Sequence, residues 1–141
     1  MSILRTVVRV LFAAFFIVAG VTHFTNRDFF TSIVPPYLPG PTALVYVSGV
    51  AEILLGALLM LPRMAKLAGW GLIALLIAVF PANVHMALNS SLYPASSPTA
   101  LWIRLPLQGV LVAVTYWLAR PAVARRTNRV ADDEAVGNAA G

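Results

Sequence analysis

The stretch Ser48-Gly-Val-Ala-Glu52-Ile-Leu-Leu-Gly56 lies in the middle of a long apolar run and decides the fold. Pro39-Gly-Pro41 ends this run on one side and Pro62 ends it on the other, which leaves about 20 residues, enough for a helix that crosses a bilayer. Glu52 would then lie near the bilayer midplane, where a carboxylate costs on the order of 3 kcal/mol. We therefore expect Glu52 to face other helices and not lipid.

Small residues share the helix face of Glu52. Ser48 and Gly49 precede it by four and three residues, and Gly56 follows it by four. Residues at these spacings lie on one side of a helix, and small ones let a neighbouring backbone come close. The pattern predicts that Glu52 points into a helix bundle whose other members supply its partners.

The composition indicates a membrane protein with one domain. The 141 residues are 60% hydrophobic and 11% charged, with a mean hydropathy of +0.83, whereas a soluble domain carries about 25% charged residues. The chain has no cysteine, so disulfide and thiolate chemistry within it are excluded.

Three further apolar segments bring the predicted number of spans to four. The first also resembles a signal peptide, but no small-residue cleavage site follows its apolar core and three more spans do. We predict an all-α integral membrane four-helix bundle over residues 1–119, then a disordered cytoplasmic tail over residues 120–141. The predicted helices cover about 5–24, 42–61, 67–88 and 98–119.

Prolines shape the connection between the first two spans. Val34-Pro-Pro-Tyr-Leu-Pro-Gly-Pro41 cannot be helical, because its prolines lack N–H groups and hold the preceding residues extended. We expect this segment to fold over the mouth of the bundle, although a plain connector that tolerates prolines is equally compatible with the sequence. Pro81 and Pro106 are expected to kink the third and fourth helices, and Asn83 to lie near carbonyl groups freed by Pro81.

The basic residues predict the orientation. Two of the ten Lys and Arg residues, Arg27 and Arg104, fall on one side of the predicted spans. By the positive-inside rule the other side is cytoplasmic, so both termini are inside and the proline-rich loops outside. The net charge of +5 is thus a topology signal and not a sign of nucleic-acid binding. The basic residues of the inner side are Arg5, Arg9, Arg63, Lys66, Arg120, Arg125, Arg126 and Arg129.

Polar residues from all four spans fall in the outer half of the predicted bundle. Ionisable residues inside a membrane indicate a functional site by default, so we predict a single ligand-binding pocket under the 25–41 loop. Its predicted residues are His23, Glu52, His85, Arg104 and Gln108, with Asn83, Pro81 and Pro106 as structural neighbours.

Two alternatives explain parts of this pattern without a ligand. Glu52 and Arg104 could form an ion pair that holds two helices in register, and removing one partner of such a pair costs about 3–5 kcal/mol. His23 alone could be an ordinary histidine of the membrane interface. Two histidines and a glutamate could also bind zinc or iron, but they come from three helices without a His-x-x-x-His pair, so we predict no metal site. No catalytic motif is found in the sequence.

Five short motifs, in order along four helices, resemble the DoxX family of small membrane proteins. They are Ala19-Gly-Val-Thr-His-Phe24, Ile33-Val-Pro-Pro-Tyr-Leu-Pro39, Gly49-Val-Ala-Glu-Ile53, Phe80-Pro-Ala-Asn-Val-His-Met86 and Arg104-Leu-Pro-Leu-Gln108. The resemblance covers about residues 5–119. It implies a four-helix protein of the bacterial inner membrane, and some members are linked to quinone-dependent sulfur oxidation or to oxidative-stress complexes. Distant relatives include a chaperone for acetylcholine receptors.

Two functions follow as expectations. The first is a redox-accessory or stress-related component that binds a small amphipathic or quinone-like ligand and is not an enzyme on its own, with a quinone as the one candidate cofactor. The second is an assembly factor or chaperone that engages helices of a client membrane protein. The expected partners are the lipid bilayer and either another membrane protein or a second copy of the chain.

Overall fold

The computed structural model describes residues 3–120, in which four long helices are joined by short connections. The boundaries of the long helices lie within two residues of the predicted ones. Except for residue 120, the predicted disordered tail lies outside the described residues. The helices are α1 (Ile3–Thr25), α2 (Arg27–Ser32), α3 (Pro41–Met60), α4 (Ala65–Leu88) and α5 (Pro98–Ala119), and a single 3₁₀ turn covers Ser90–Leu92.

The long helices α1, α3, α4 and α5 are each long and apolar enough to cross a membrane. No strand occurs between residues 3 and 120, so the predicted all-α class is confirmed. Large apolar side chains are exposed along every long helix, among them Leu11, Leu54, Ile77 and Val110. A soluble protein would not expose such a surface, whereas a bilayer covers it with acyl chains.

The helices pack as two antiparallel pairs, α1 with α3 and α4 with α5, joined by contacts between α3 and α4. Glycines permit the first pairing, because a Cβ at Gly20 would lie 2.6 Å from the Gly49 carbonyl oxygen. A Cβ at Gly56 would similarly lie 3.0 Å from the Ala13 carbonyl oxygen. The small-residue face predicted around Glu52 is thus the face on which α1 packs.

The helices α1 and α5 meet over only a few residues, near the chain termini. There Arg5 donates hydrogen bonds of 3.0 Å to the carbonyl oxygens of Trp117 and Leu118 and also bonds that of Arg120. Carbonyl groups at a helix C-terminus lack partners within the helix, and a cation complements the dipole there. Arg5 therefore closes the bundle at this end.

The bundle has two halves with different interiors. The terminal half contains the start of α1, the end of α5 and the turn between α3 and α4. Its core is mostly apolar but also buries Arg9 and Thr115, and its fully buried apolar members are Ala13, Phe16, Leu59, Ala68 and Leu72. The loop half contains the connections from α1 to α3 and from α4 to α5. A smaller apolar cluster there joins the connections to the helix ends; it comprises Ile33, Met86, Ala87, Tyr93 and Leu101.

Prolines begin α3 and α5, whereas Pro81 and Pro106 lie inside helices. Ser97 caps α5 as its side chain accepts a hydrogen bond of 3.2 Å from the backbone N–H of Ala100, with Pro98 as the first helical residue. The helices α4 and α5 continue past Pro81 and Pro106, respectively.

Candidate functional site

A cavity of about 530 Å³ lies between the helices of the loop half. This volume falls within the range of roughly 300–1,000 Å³ typical of small-molecule sites, which are likewise mostly apolar with a few polar groups. All four long helices contribute to the wall. The polar or charged side chains that line it are His23, Ser48, Glu52, Asn83, Arg104 and Gln108.

The connection between α1 and α3 covers the cavity. Phe30 of α2 lines it and stacks on the His23 ring, with the ring centroids 4.0 Å apart and the planes 21° from parallel. The Tyr93 hydroxyl donates a 3.1 Å hydrogen bond to the Ser32 carbonyl oxygen, which ties this connection to the one between α4 and α5. The other cover residues that line the cavity are Ile33, Val34, Pro35 and Leu38.

The cavity is open at the surface of the bundle. Phe15 of α1, Val47 of α3 and Leu107 of α5 line it and are also 49%, 67% and 52% exposed. All three lie within the long apolar helices and not in the connections. The opening is therefore at a depth where a bilayer would present acyl chains.

His23 and Glu52 lie side by side in the wall of the cavity. Nδ1 of His23 lies 3.3 Å from Oε2 of Glu52 and 3.0 Å from the Ala19 carbonyl oxygen, so two acceptor atoms are within reach of one ring nitrogen. Oε2 of Glu52 is buried, and the residue as a whole is only 8% exposed. The contact joins α1 to α3 beside the cavity.

Gln108 and Asn83 form a second polar group in the wall. Asn83 donates a 2.8 Å hydrogen bond to Oε1 of Gln108, and Nε2 of Gln108 donates to the Leu76 carbonyl oxygen. That carbonyl lies five residues before Pro81, whereas the carbonyl that loses its helical donor at a proline lies four residues before it. The Gln108 bond therefore does not replace the donor that Pro81 lacks. Each amide holds the other in position, which links α4 to α5.

Arg104 lines the same cavity but does not pair with Glu52. It is exposed, and its Nη1 lies 3.8 Å from the Met86 sulfur, a weak acceptor. A contact of Glu52 with Arg104 through Gln108 or water stays a prediction, but the direct ion pair between them is absent. The reason is the close approach of α1 to the small-residue face of α3, which places His23 beside Glu52, whereas α5 packs on α4.

The prediction that His85 lines the pocket is also wrong. Its Nδ1 lies 3.2 Å from Nδ2 of Asn89, which also donates to the His85 carbonyl oxygen at 2.9 Å, so the side chain is engaged in the last turn of α4. Ala78 and Ala82 of α4 line the cavity, and a step of four from Ala82 leads to the buried Met86 and not to His85. In place of His85, Asn83 joins the site. Its spacing of seven from Leu76 places both on one face and could have indicated this.

Of the five predicted ligand-binding residues, the cavity thus brings together four: His23, Glu52, Arg104 and Gln108. Within residues 3–120 no three His, Asp or Glu side chains come close enough to hold a metal ion.

Comparison with known proteins identifies a family but no characterised relative. Residues 12–119, from the middle of α1 to the end of α5, match the family described as a domain of unknown function, DUF8561. No curated protein and no solved structure matches the chain. Since the match spans most of the chain and every helix that lines the cavity, the protein belongs to the DUF8561 family.

Proposed function

We propose that this protein binds a small amphipathic, quinone-like molecule in the loop-half cavity and acts as a redox-accessory or stress-related membrane component. It is not an enzyme on its own in this proposal, and the DoxX-like motifs are read as a distant relationship. The observation that carries the proposal is the combination of a large apolar cavity with polar side chains that converge on it.

The proposed ligand enters from the bilayer. The opening among Phe15, Val47 and Leu107 lies within the apolar helices, while Phe30 and the proline-rich segment cover the cavity on the side of the connections. A water-soluble molecule would have to pass that cover. A membrane-dissolved molecule meets the opening directly, and its tail can remain among the acyl chains.

The polar wall suits a ring that carries oxygen atoms. Arg104 supplies several N–H donors and makes no ion pair within residues 3–120. A carbonyl oxygen near Arg104 would accept from the guanidinium group, and the flat ring would pack among apolar side chains such as Phe16, Leu76 and Leu111. Each of these interactions is of a kind that orients small ligands in apolar sites.

The alternative of a chaperone that engages client helices is less well supported. A client helix needs polar groups on an accessible helix face, whereas Glu52 and Gln108 are buried behind the cover segment. Only Arg104 among the charged cavity residues is exposed. The arrangement thus favours a small molecule over a helix.

The proposal includes the location and orientation of the chain. We place it in the bacterial inner membrane with both termini in the cytoplasm, because eight of the ten basic residues fall on that side of the spans. The loop half then faces outward. Single cysteines in place of Ser2, Ser32, Ser91 and Asn138 test this in intact cells with an impermeant thiol reagent. Labelling at Ser32→Cys and Ser91→Cys alone is expected, and labelling at either terminus would overturn the orientation.

Binding is tested in lipid nanodiscs with a decyl-substituted benzoquinone as the probe. A ligand at 100 times its dissociation constant stabilises the folded state by about 2.7 kcal/mol, so the melting temperature should rise. Gln108→Leu removes a cavity side chain and should reduce the shift. His85→Ala is the matched control, because His85 lies outside the cavity, and it should keep the full shift. No shift in the wild type, or equal shifts in both variants, would contradict the proposed site.

A further inference from the structure

A row of basic and aromatic side chains runs from the start of α4 to the end of α5, in the terminal half. Lys66 and Trp70 are four residues apart and share one face of α4. The Trp70 ring meets the Tyr116 ring edge to face, with the ring centroids 5.8 Å apart. The guanidinium carbon of Arg120 lies 5.5 Å from the centre of the Tyr116 ring. We call these four residues the aromatic–basic patch.

Close packing beneath the patch holds its two helices together. A Cβ at Gly69 would lie 2.7 Å from the Cβ of Ala119, so the two backbones approach closely there. Arg5 donates hydrogen bonds to carbonyl oxygens at the end of α5 and fixes that end as well. The patch itself lies on the outer surface, because Trp70 and Tyr116 are 49% and 43% exposed and both basic side chains are exposed. It therefore presents two positive charges beside two exposed rings on a closely packed surface.

The described helices supply no acidic partner for these two charges. Between residues 3 and 120 the acidic residues are Asp28 and Glu52. Asp28 pairs with Arg27 in the loop half, and Glu52 lies beside His23. A counter-charge for the patch therefore comes from outside residues 3–120.

The position of the patch along the helices indicates a membrane lipid as the source of that counter-charge. Lys66 is the second residue of α4 and Arg120 directly follows the last residue of α5, so both lie at the ends of helices that can cross a membrane. Trp and Tyr rings favour the boundary between acyl chains and headgroups. Phospholipid phosphates lie at the same boundary, and Lys and Arg both bind phosphate oxygens with charge-assisted hydrogen bonds.

We propose that the aromatic–basic patch binds the headgroup of an anionic phospholipid such as phosphatidylglycerol. Lys66 and Arg120 bind the phosphate, and an acyl chain lies against Trp70 and Tyr116. A zwitterionic phospholipid carries the same phosphate but adds a cation, which the two basic residues repel, so the patch selects the anionic lipid. The inference goes beyond the proposed function, because it depends neither on the cavity nor on the orientation of the chain.

The test measures contact between Trp70 and brominated lipids, whose bromine atoms quench tryptophan fluorescence at close range. Trp102→Phe with Trp117→Phe leaves Trp70 as the one tryptophan of the full-length chain. This variant is placed in phosphatidylcholine nanodiscs that contain a small fraction of brominated phosphatidylglycerol or, in parallel, the same fraction of brominated phosphatidylcholine. We expect the anionic lipid to associate at least about tenfold more strongly, because each basic residue near an anionic headgroup adds to the attraction.

Trp102 provides the matched control, because it is 52% exposed and lies in α5 at the loop-half end. Trp70→Phe with Trp117→Phe leaves Trp102 as the one tryptophan, and the two brominated lipids should quench it about equally. Equal quenching of Trp70 by the two lipids would overturn the proposal. The same preference at Trp70 and at Trp102 would show a general attraction to anionic lipid and would also overturn it.

Charge-removing variants test the two basic residues. Lys66→Gln with Arg120→Gln, in the chain that retains Trp70, should remove the preference. Both side chains are exposed and the backbone bonds of Arg120 are unchanged, so the bundle should fold. If the pair of substitutions prevents folding, Lys66→Gln alone should weaken the preference about fivefold. Arg27→Gln removes a charge of the loop half and should keep the full preference. A preference that persists without both patch charges would contradict the assignment.

Two other occupants of the patch would give different results. Inorganic phosphate should not reduce the lipid preference more than sodium chloride of equal ionic strength does, and a larger reduction would assign the patch to free phosphate. The acidic run Asp132-Asp-Glu134 of the same chain is the other candidate. If the preference were absent with the native run and present after Asp132→Asn, Asp133→Asn and Glu134→Gln, the chain itself would occupy the patch. Either result would overturn the lipid assignment.

Discussion

The two halves of the bundle are built from the same four helices but have different interiors. In the terminal half, Leu59, Ala68 and Leu72 are fully buried in a mostly apolar core. In the loop half the helices surround a cavity of about 530 Å³, and Glu52 and Gln108 face it. The terminal half is therefore closely packed, whereas the loop half encloses open space between the helices.

The two halves differ in how closely their helices pack. Without a hydrophobic driving force between helices in lipid, association depends on close van der Waals packing and on hydrogen bonds between helices. The contact of Gly20 with Gly49 extends close packing into the loop half along α1 and α3. The cavity forms between that pair and the pair of α4 and α5.

The largest expected effect is a difference in stability between two leucine-to-alanine substitutions in α4, at positions three residues apart. Leu72 is fully buried in the terminal half, whereas Leu75 is partly buried and lines the cavity. Leu72→Ala should lower the free energy of unfolding by about 2–5 kcal/mol, because it creates a void in a solid core. Leu75→Ala only enlarges an existing space and should cost about 1 kcal/mol. Reversible unfolding in mixed micelles measures both, and equal losses would remove the distinction between the halves.

The converse experiment replaces a small side chain by a larger one, once in each half. Ala68 has no exposed surface, so Ala68→Leu should destabilise the protein by about 1–3 kcal/mol through overpacking. Ala78 is exposed and lines the cavity, so Ala78→Leu should be accommodated at little cost to unfolding. The same variant should weaken ligand binding because the side chain occupies the cavity. If Ala78→Leu destabilised the bundle as much as Ala68→Leu, the cavity would not be a space that tolerates filling.

A smaller effect is expected at the cover of the cavity. Tyr93→Phe removes the hydrogen bond to the Ser32 carbonyl oxygen and should cost about 1 kcal/mol. Hydrogen exchange should rise in α2 and in the connection to α3, while the terminal half stays protected. Faster exchange throughout the bundle would show that the cover and the terminal half unfold as one unit.

The smallest expected effect is a dependence of stability on pH that comes from Tyr93 in this cover. Burial raises the pKa of Tyr93, whose unfolded value is about 10. The folded state holds the proton more tightly, so the contribution of Tyr93 to stability is complete below pH 10 and is lost as the pH rises through the folded pKa. Stability measured between pH 9 and 11 should fall more steeply in the wild type than in Tyr93→Phe. Identical pH profiles would contradict this.

The sequence predicted the spans, and four of its five predicted pocket residues line the cavity, because each depends on features local to one helix. A long apolar run, a flanking proline and the spacing of small residues around Glu52 can all be read along the chain. The partner of Glu52 could not be read in this way. Whether His23 or Arg104 reaches it depends on which helix packs on the glycine face, and that is a property of the assembled bundle.

His85 was predicted to line the pocket because it is an ionisable residue in the outer half of a predicted span. In the structure Ala78 and Ala82 of the same helix line the cavity, whereas His85 contacts Asn89 in the last turn of α4. Asn83 was expected near freed carbonyl groups and instead bonds Gln108. His85 and Asn83 lie within one turn of α4, where small differences in the rotation of the helix decide which side chain faces inward.

The most direct test of the cavity as a binding site is the identity of what it carries from the cell membrane. The wild type, Ala78→Leu and His85→Ala would be purified in parallel with native lipid, and bound small molecules quantified by mass spectrometry against the bulk lipid extract. We predict that one amphipathic molecule is enriched in near-stoichiometric amount with the wild type and His85→Ala and is depleted with Ala78→Leu. The same small-molecule profile in all three, with nothing enriched over bulk lipid, would contradict the account.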